Sequence, residues 1–483
     1  MPPTVSFRLR LDCTDEPENA PATSSKSRLS RSCSAQAPDS VLEPEKQLAK
    51  KLSLTSYKLT IKYCNIKKII ENMVGKITGG YMPIVPAPVN ICDKPHQFEP
   101  LVPRSDLTEL GQRTRAVVEA SYRLQGVHAA TRAVLRELVR AMNSHYSNLI
   151  EGQGTHPANI ARALKKDFSE KPDIAERQRI AVAHIDAERE LEAAHAPQAE
   201  ALTSVFLQRA HGSLYGRLAP ADRTLPDGRV IQPGIFRQED VTVGRHHPPG
   251  YASVPAFLAR ADEVYGHATG LDSLLYTIAA AHHRYAWVHP FLDGNGRACR
   301  LQTHCALLPL SNGLWSVNRG LARQRARYFA LLANADMPRH GDLDGRGNLS
   351  EKMLRAWCEF FIDVCEDQVR FMGQMLDLED FKKRVAALVA VRGETVSSLV
   401  YRKEIVLPLH HIIVAGPISR AEFTQMTGLG ERTVRDVMRN LLKDGLLTSD
   451  SHKGPLSIAF PLESLNLLFP RLYPEAAGAP PED

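Results

Sequence analysis

A short loop containing two glycines separates two apolar helical stretches and limits the folds open to this chain. Apolar and aromatic side chains recur at helical spacing from Leu274 to Trp287, and the pattern resumes from Leu301 to Leu308. Pro290 helps to end the first helix, because the residue before a proline avoids helical backbone angles. The segment from His289 to Arg300 is therefore expected to be a tight loop and helix start between two buried helices.

Three consecutive residues of this loop, Gly294, Asn295 and Gly296, stand where the second helix begins. Glycines allow a backbone to approach a ligand closely, and the free N–H groups at a helix N-terminus favour an anion. Arg297 and Arg300 are three residues apart and share a helix face. Their forked donors suit phosphate oxygens. We name residues 294–296 the anion cradle, and the sequence predicts that it binds phosphate.

Two further side chains complete the chemistry expected of this loop. Asp293 offers a hard carboxylate oxygen beside the phosphates, which is the ligand type that Mg²⁺ prefers. His289 stands at the loop entrance, and an imidazole with an ordinary pKa near neutrality is suited to take a proton from an attacking hydroxyl. The set predicts a phosphate site with His289 placed to accept a proton.

The segment His289-Pro-Phe-Leu-Asp-Gly-Asn-Gly-Arg-Ala-Cys-Arg300 resembles the Fic family motif H-P-F-x-[D/E]-G-N-G-R-x-x-R at every motif position. The resemblance covers residues 98–391. It implies a helical Fic core that transfers AMP from Mg-ATP to a Ser, Thr or Tyr of a target protein. By the same resemblance His289 is the base and Asp293 holds Mg²⁺. Gly294, Asn295 and Gly296 bind the α-phosphate, Arg297 and Arg300 hold the outer phosphates, and Phe291 is a buried anchor.

An earlier string, Ser147-Asn-Leu-Ile-Glu151-Gly152, resembles the family's inhibitory signature [S/T]-x-x-x-E-[G/N]. Ser147 and Glu151 are four residues apart and lie on one face of any helix through them. The resemblance implies that Glu151 pairs with Arg300, so that ATP binds in an unproductive pose. Taken alone, the same string is typical of a helix that ends at a glycine.

The expected fold class is mainly α: a Fic-type helical bundle with a small β-hairpin flap and a C-terminal winged helix-turn-helix domain. The hairpin is predicted between about Arg229 and Gly244, where short β-branched runs alternate with Gly and Asp. In Fic proteins a flap at this place aligns the target segment by strand addition. The expected parts are a mostly disordered extension (1–97), a helical region with the inhibitory helix (98–225), the Fic core (226–391), and the winged helix and tail (392–483).

Helical patterns are expected from Ser105 to about Met142, from Pro157, from Asp173 to about Ala194, from Pro197 to Leu214, and from Glu351 to about Val391.

The C-terminal unit combines a helix from Arg420 to about Met426, a turn, a helix from Glu431 to Lys443, and two short β-like runs. This order resembles winged helix-turn-helix domains. The second helix carries four cations at helical spacing, opposite an apolar face: Arg432, Arg435, Arg439 and Lys443. Such a face suits DNA phosphates. Target binding or homodimer formation are the alternatives for this unit.

The composition is typical of a soluble protein and argues against a membrane-spanning protein, a secreted protein and a cysteine metal site. No apolar run approaches the ~18 residues that span a bilayer, and no secretory signal opens the chain, so a cytoplasmic protein is expected. The cysteines lack metal-ligand spacing and are expected to be reduced thiols. The net charge of the chain is +6. Residues 1–81 contain 13 Lys/Arg and 8 Asp/Glu, so +5 of this charge lies in that segment. Met73 and Met82 are candidate alternative translation starts.

Other outcomes of the same loop stay open at this point. A Fic-fold enzyme could remove AMP, transfer a phosphate or handle another nucleotide, because the motif sets the phosphate cradle and the base but not the nucleobase. A transcription regulator with a nucleotide-sensing core is the non-enzymatic alternative, and an intact His289 argues against it. A stretch from Asp342 has the glycine of a calcium loop, but Arg346 and Met353 replace required oxygen ligands, which excludes calcium there.

Overall fold

The computed structural model describes residues 92–474 except residue 268. The expected disordered extension and the two alternative starts therefore lie outside the described residues, apart from residues 92–97. All described residues belong to one unit, Pro88–Asp483. No described helix is both long and apolar enough to cross a membrane.

The first part of the described chain is helical, as the sequence predicts. Its helices are α1 (Leu107–Arg123), α2 (Ala129–Ile150), α3 (Pro157–Leu164), α4 (Pro172–Ala193), α5 (Gln198–Ala201), α6 (Ser204–Tyr215) and α7 (Val254–Tyr265). The next are α8 (Leu274–Val288), α9 (Asn295–Ser311), α10 (Asn318–Arg323), α11 (Arg325–Ala335), α12 (Glu351–Leu376) and α13 (Leu378–Thr395). Single 3-10 turns lie at Pro95–Phe98, Leu124–Gly126, Pro220–Arg223, Tyr251–Ser253 and Leu271–Ser273.

Helices α8 and α9 form the centre of the core. Almost every side chain of α8 is buried, because the helix packs on α7, α9 and α12 at once. Trp357 of α12 donates from its indole N–H to the carbonyl of Ala279 in α8, at 2.7 Å. The charge of Arg284, buried in α8, is met by the carbonyls of Pro100 and Ala335. A rigid pair of helices therefore holds the loop between Val288 and Asn295.

Two expected helices are divided. The run from Ser105 to Met142 is broken at residues 124–128, between α1 and α2. The run from Glu351 to Val391 is broken at Asp377, whose side chain caps α13 by accepting from the N–H of Asp380 at 3.0 Å. The apolar period continues across the break, so the period alone gave no signal of it. Helix α13 runs across residue 391, where the sequence placed a domain boundary.

The expected hairpin between Arg229 and Gly244 is not a regular hairpin, and this part of the prediction is corrected. The segment contains two isolated antiparallel bridges, Thr224–Val230 and Val243–His246, and each closes its own turn. We name residues 224–246 the flap segment. The physical reason is that its middle is bonded to the loop after α8 rather than to a strand of its own: the N–H of Arg237 donates to the carbonyl of Pro290 at 2.8 Å.

The C-terminal part contains α14 (Val406–Ala415), α15 (Arg420–Thr427), α16 (Glu431–Lys443), β1 (Leu447–Thr448), β2 (Ser457–Ile458) and α17 (Leu462–Leu468), with a 3-10 turn at Lys403–Ile405. A capping box at Ser419 and Glu422 starts α15, and Gly428 ends it in the left-handed conformation. The two strands pair antiparallel, with Leu447 opposite Ile458. The expected order of helix, turn, helix and two short strands is therefore present.

Candidate active site

The loop begins where α8 ends. His289 has φ 49° and ψ 60°, a left-handed conformation that non-glycine residues seldom adopt, and its N–H still donates to the carbonyl of Tyr285 at 3.2 Å. Pro290 prevents the helix from continuing. Helix α9 then begins at Asn295 after Gly294, which has φ 79°. The turn therefore places His289 and the N-terminus of α9 at the two ends of one short loop.

The side chain of Asn295 closes this loop. Its Oδ1 accepts from the N–H of Phe291 and its Nδ2 donates to the carbonyl of Phe291, both at 2.9 Å. Phe291 is fully buried, as the anchor role implies. Its ring stacks on the ring of His211, with 3.9 Å between the centroids. The conformation of the cradle is therefore set by a buried residue pair inside the motif.

His211 of α6 packs against the loop and bonds to it. The sequence did not predict this role. Its Nδ1 accepts from the N–H of Gly234, so its Nε2 carries the proton and donates to the carbonyl of Asp293 at 3.1 Å. Burial lowers the pKa of His211 to about 4, which keeps the ring neutral. One histidine thus joins the flap segment to the cradle, and an isolated His in an apolar helix gives no sequence signal of this.

The two glycines of the cradle are required by close neighbours. A Cβ on Gly294 would lie 2.3 Å from the hydroxyl of Tyr215, and the positive φ adds strain. A Cβ on Gly296 would lie 2.4 Å from Oε1 of Glu151. The Glu151 carboxylate therefore stands directly against the backbone of the cradle.

Arg297 and Arg300 both lie buried beside the cradle. Arg297 donates to Oε1 of Gln153 at 2.7 Å, stands over the Tyr215 ring and lies 3.7 Å from the Asp293 carboxylate. Asp293 keeps 47% of its side-chain surface exposed. An accessible hard oxygen next to the cradle fits a magnesium ligand.

Arg300 is held by the end of helix α2. Its Nε donates to Oγ of Ser147 at 3.0 Å, and its Nη2 donates to the Ser147 carbonyl at 3.1 Å and to Oε1 of Glu151 at 2.5 Å. The contact that the resemblance implied between Glu151 and Arg300 is therefore present. Arg325 fixes the end of α2 by donating to the carbonyl of Ile150 at 2.8 Å.

The charges at this contact are strongly coupled. Burial alone would raise the pKa of Glu151, but Arg300, Arg297 and Arg325 overcome it and hold the pKa below its ordinary value. Burial likewise opposes the charge of Arg300, and the attraction of Glu151 raises its pKa nonetheless. Both groups are ionised, so Glu151 occupies Arg300 as an anion.

His289 is neutral in this environment. Burial is the main cause that lowers its pKa to about 4, and the positive charge of Arg237 acts in the same direction against an opposing contribution of Glu151. A neutral imidazole has a nitrogen free to accept a proton, as a general base requires. The backbone carbonyl of His289 accepts a hydrogen bond from Nε of Arg237 at 2.9 Å, a contact that the sequence did not reveal.

The four cations of α16 lie apart from the loop on an exposed face. Arg435 pairs with Glu431 at 2.8 Å and Arg439 with Asp436 at 2.6 Å. Two of the four positive charges are therefore balanced on their own helix, while Arg432 and Lys443 complete the row. The opposite face, with Val434, Val437, Met438 and Leu441, is buried.

Residues 201–307 match the model of the Fic/DOC family. This segment is a Fic/DOC domain. It contains α6 to α8, most of α9, the flap segment and the whole loop from His289 to Arg300. The contacts of Arg300 with Ser147 and Glu151 join the Fic domain to the end of helix α2, which precedes the matched residues.

The Fic domain is also similar in sequence to curated proteins. A protein adenylyltransferase Fic of Drosophila virilis is 32% identical over 108 residues, which is 22% of this chain and 21% of that protein. The corresponding protein of Drosophila melanogaster gives the same identity over the same length. The chain thus spans about a fifth of the length of these relatives.

Solved structures of similar proteins give lower identities. A Fic family protein from Desulfovibrio desulfuricans G20 aligns at 16% identity and a TM-score of 0.42 over 74% of this chain and 97% of its own. Fic-1 of C. elegans aligns at 19% identity and a TM-score of 0.42, over 55% of this chain and 71% of its own.

Proposed function

We propose that the chain is a protein adenylyltransferase, which moves AMP from Mg-ATP to a hydroxyl side chain of a target protein and is restrained by Glu151. The observation that carries the proposal is the carboxylate of Glu151 bonded to Arg300 against the anion cradle. A site that holds one anion between buried arginines and the N-terminus of α9 is suited to hold a phosphate in its place. Both the activity and its restraint follow from that exchange.

In the proposed reaction His289 takes the proton of the target hydroxyl. The oxygen attacks the α-phosphorus, the bond from that phosphorus to the oxygen bridging to the β-phosphate breaks, and pyrophosphate leaves. The N–H groups at the start of α9 face the charge that develops on the α-phosphate, and Arg297 and Arg300 hold the outer phosphates. Asp293 would hold Mg²⁺, which neutralises phosphate charge when bound. Catalysis is then chiefly positioning and charge stabilisation.

Restraint follows from competition for Arg300. While Glu151 and Ser147 engage the guanidinium, the γ-phosphate lacks its partner and the α-phosphate is not aligned with the target hydroxyl. Binding energy that does not reach the transition state leaves the rate low. Removal of the carboxylate should therefore raise the rate without creating any new catalytic group.

The test uses ATP labelled at the α-phosphate, with Mg²⁺ and the purified chain alone or in a cell extract. Glu151→Gly should incorporate more label than wild type, and the double variant Glu151→Gly, His289→Ala should incorporate almost none. Mass spectrometry of the product distinguishes AMP from UMP, phosphate or phosphocholine. Equal labelling by all three proteins would refute the enzymatic proposal, and a different added mass would redirect it to another nucleotide or phosphoryl transfer.

We propose further that the described part of the expected unit 392–483, from the end of α13 onward, is a winged-helix unit whose exposed α16 face contacts a partner. Support comes from the element order and from the amphipathic burial of α16. Because Arg435 and Arg439 already have acidic partners, the face carries less free charge than its sequence suggests. A gel shift with duplex DNA tests nucleic acid as the partner, since binding through phosphates must weaken as salt is added. A homodimer or a target protein is the partner if no shift occurs.

A further inference from the structure

We infer that Arg237 is a positioning residue that fixes the backbone of His289 and joins it to the flap segment. The inference rests on the proposed function, because it concerns how the base of that reaction is held. Arg237 itself touches no reacting atom in this scheme. It acts through the peptide that carries the base and through the segment expected to lie beside the target.

The contacts of Arg237 reach three separate parts of the chain. Its Nε donates to the carbonyl of His289 at 2.9 Å, and its backbone N–H donates to the carbonyl of Pro290 at 2.8 Å. Nη1 donates to the carbonyl of Glu239 at 2.9 Å and Nη2 to the carbonyl of Pro249. The side chain is fully buried. One guanidinium thus ties the catalytic loop, the flap segment and the turn before α7 together.

The His289 peptide needs such support. It ends α8, where the last carbonyls have no partner within the helix. It also has a left-handed conformation before a proline, and conformations of this kind persist only when surrounding contacts determine them. Two hydrogen bonds from Arg237 hold this backbone, one to the carbonyl of His289 and one to the carbonyl of the next residue, Pro290.

The burial of Arg237 indicates a specific requirement. A buried guanidinium is costly unless its donors are satisfied, and here they meet backbone carbonyls, with the carboxylate of Asp240 at 3.7 Å. An apolar side chain of similar size would fill the volume but could not bind three carbonyls in fixed directions. The arginine therefore fixes the positions of these loops relative to one another.

This geometry bears on the chemical step more than on ATP binding. A general base must lie within hydrogen-bond reach of the proton it takes, and a shift of about 1 Å costs on the order of 100-fold in rate. Among the described residues, the hydrogen bonds of Arg237 go to the loop entrance, the flap segment and the turn before α7, not to the anion cradle. Its loss should therefore lower kcat while KM for ATP stays nearly constant.

The experiment is done in the Glu151→Gly protein, with Arg237→Gln and Arg237→Lys. We expect Arg237→Gln to lower kcat on the order of 100-fold, with KM for ATP changed less than about twofold. Arg237→Lys keeps the charge but not the fork and should recover only part of the rate. The matched control is Arg179→Gln, which removes a half-buried arginine that is bonded to Asp222 and has no hydrogen bond to the loop from His289 to Arg300 among the described contacts. It should leave kcat unchanged.

A second readout does not depend on labelling. Arg237 lowers the pKa of His289, so histidine NMR should show a higher His289 pKa in Arg237→Gln and little change in Arg237→Lys. Rates and pKa values in Arg237→Gln equal to those of the parent would overturn the inference. If the Glu151→Gly parent itself does not label, the proposed function fails. The NMR result then still decides whether Arg237 holds the His289 environment.

Discussion

Replacing Glu151 should destabilise the resting protein and activate it by a related amount of free energy. Breaking a buried ion pair by removing one partner costs about 3–5 kcal/mol. Here Glu151 keeps 30% of its side-chain surface exposed and Arg300 keeps two hydrogen bonds to Ser147, which lowers the expected cost to about 2–3 kcal/mol. ATP can bind productively only after the contact between Glu151 and Arg300 has broken. The same free energy therefore opposes productive binding.

This free energy sets the expected size of both the loss of stability and the gain in activity. At ~2.1 cal/mol/K per residue, the roughly 380 described residues have an unfolding entropy near 0.8 kcal/mol/K, so Glu151→Gly should lower Tm by about 3 °C without nucleotide. If all of this free energy becomes available to the γ-phosphate, labelling rises about 30–150-fold at subsaturating ATP. Saturating Mg-ATP should narrow the difference in Tm, because a phosphate then engages Arg300.

The assay pairs thermal unfolding, with and without Mg-ATP, with incorporation of label from ATP. Glu151→Gln is the matched control: it keeps the shape, removes the charge, and should give intermediate values for both measurements. An unchanged Tm together with unchanged labelling in Glu151→Gly would show that the contact holds neither the fold nor Arg300. The reasoning from the ion pair to restraint would then be refuted.

Three further outcomes are expected. Because the pKa of His289 is lowered to about 4, the base is unprotonated above that pH, so its contribution to the labelling rate should be constant from pH 6 to 8 and fall as pH approaches 4. Gly294→Ala must strain a positive φ and displace Tyr215; unfolding by urea should show a loss of at least about 2 kcal/mol, and labelling should cease. Asn295→Ala removes two hydrogen bonds from the Phe291 peptide and should cost about 2–4 kcal/mol, measured the same way.

The sequence predicted those parts of the fold that depend on local signals. The loop between α8 and α9 was expected from a proline, two glycines and the apolar runs around them, and the structure has it there. The start of α3 at Pro157 and the helices α15 and α16 follow in the same way from a proline, turn glycines and helical periodicity. These signals lie within a few residues of the element they determine.

Contacts between distant residues were not predictable from such signals. Arg237 and His211 hold the loop through backbone carbonyls, and a carbonyl acceptor leaves no trace in the sequence of its partner. The pairing of Glu151 with Arg300, 149 residues later, was expected only because both strings resemble family motifs. The flap segment looked like a hairpin because β-branched residues and turn glycines are typical of one, but its polar groups are bonded to the loop instead.

Under the proposed restraint, the Glu151 carboxylate at the end of α2 competes with a phosphate for Arg300, and its effective concentration is set by the geometry of the fold. Dilution cannot remove it, and its occupancy does not depend on how much protein is present. Because Arg300 is buried, added salt screens the pair only weakly. The resting state should therefore be the same at nanomolar and at micromolar protein. It should change only with the concentration of ATP or with a movement of helix α2.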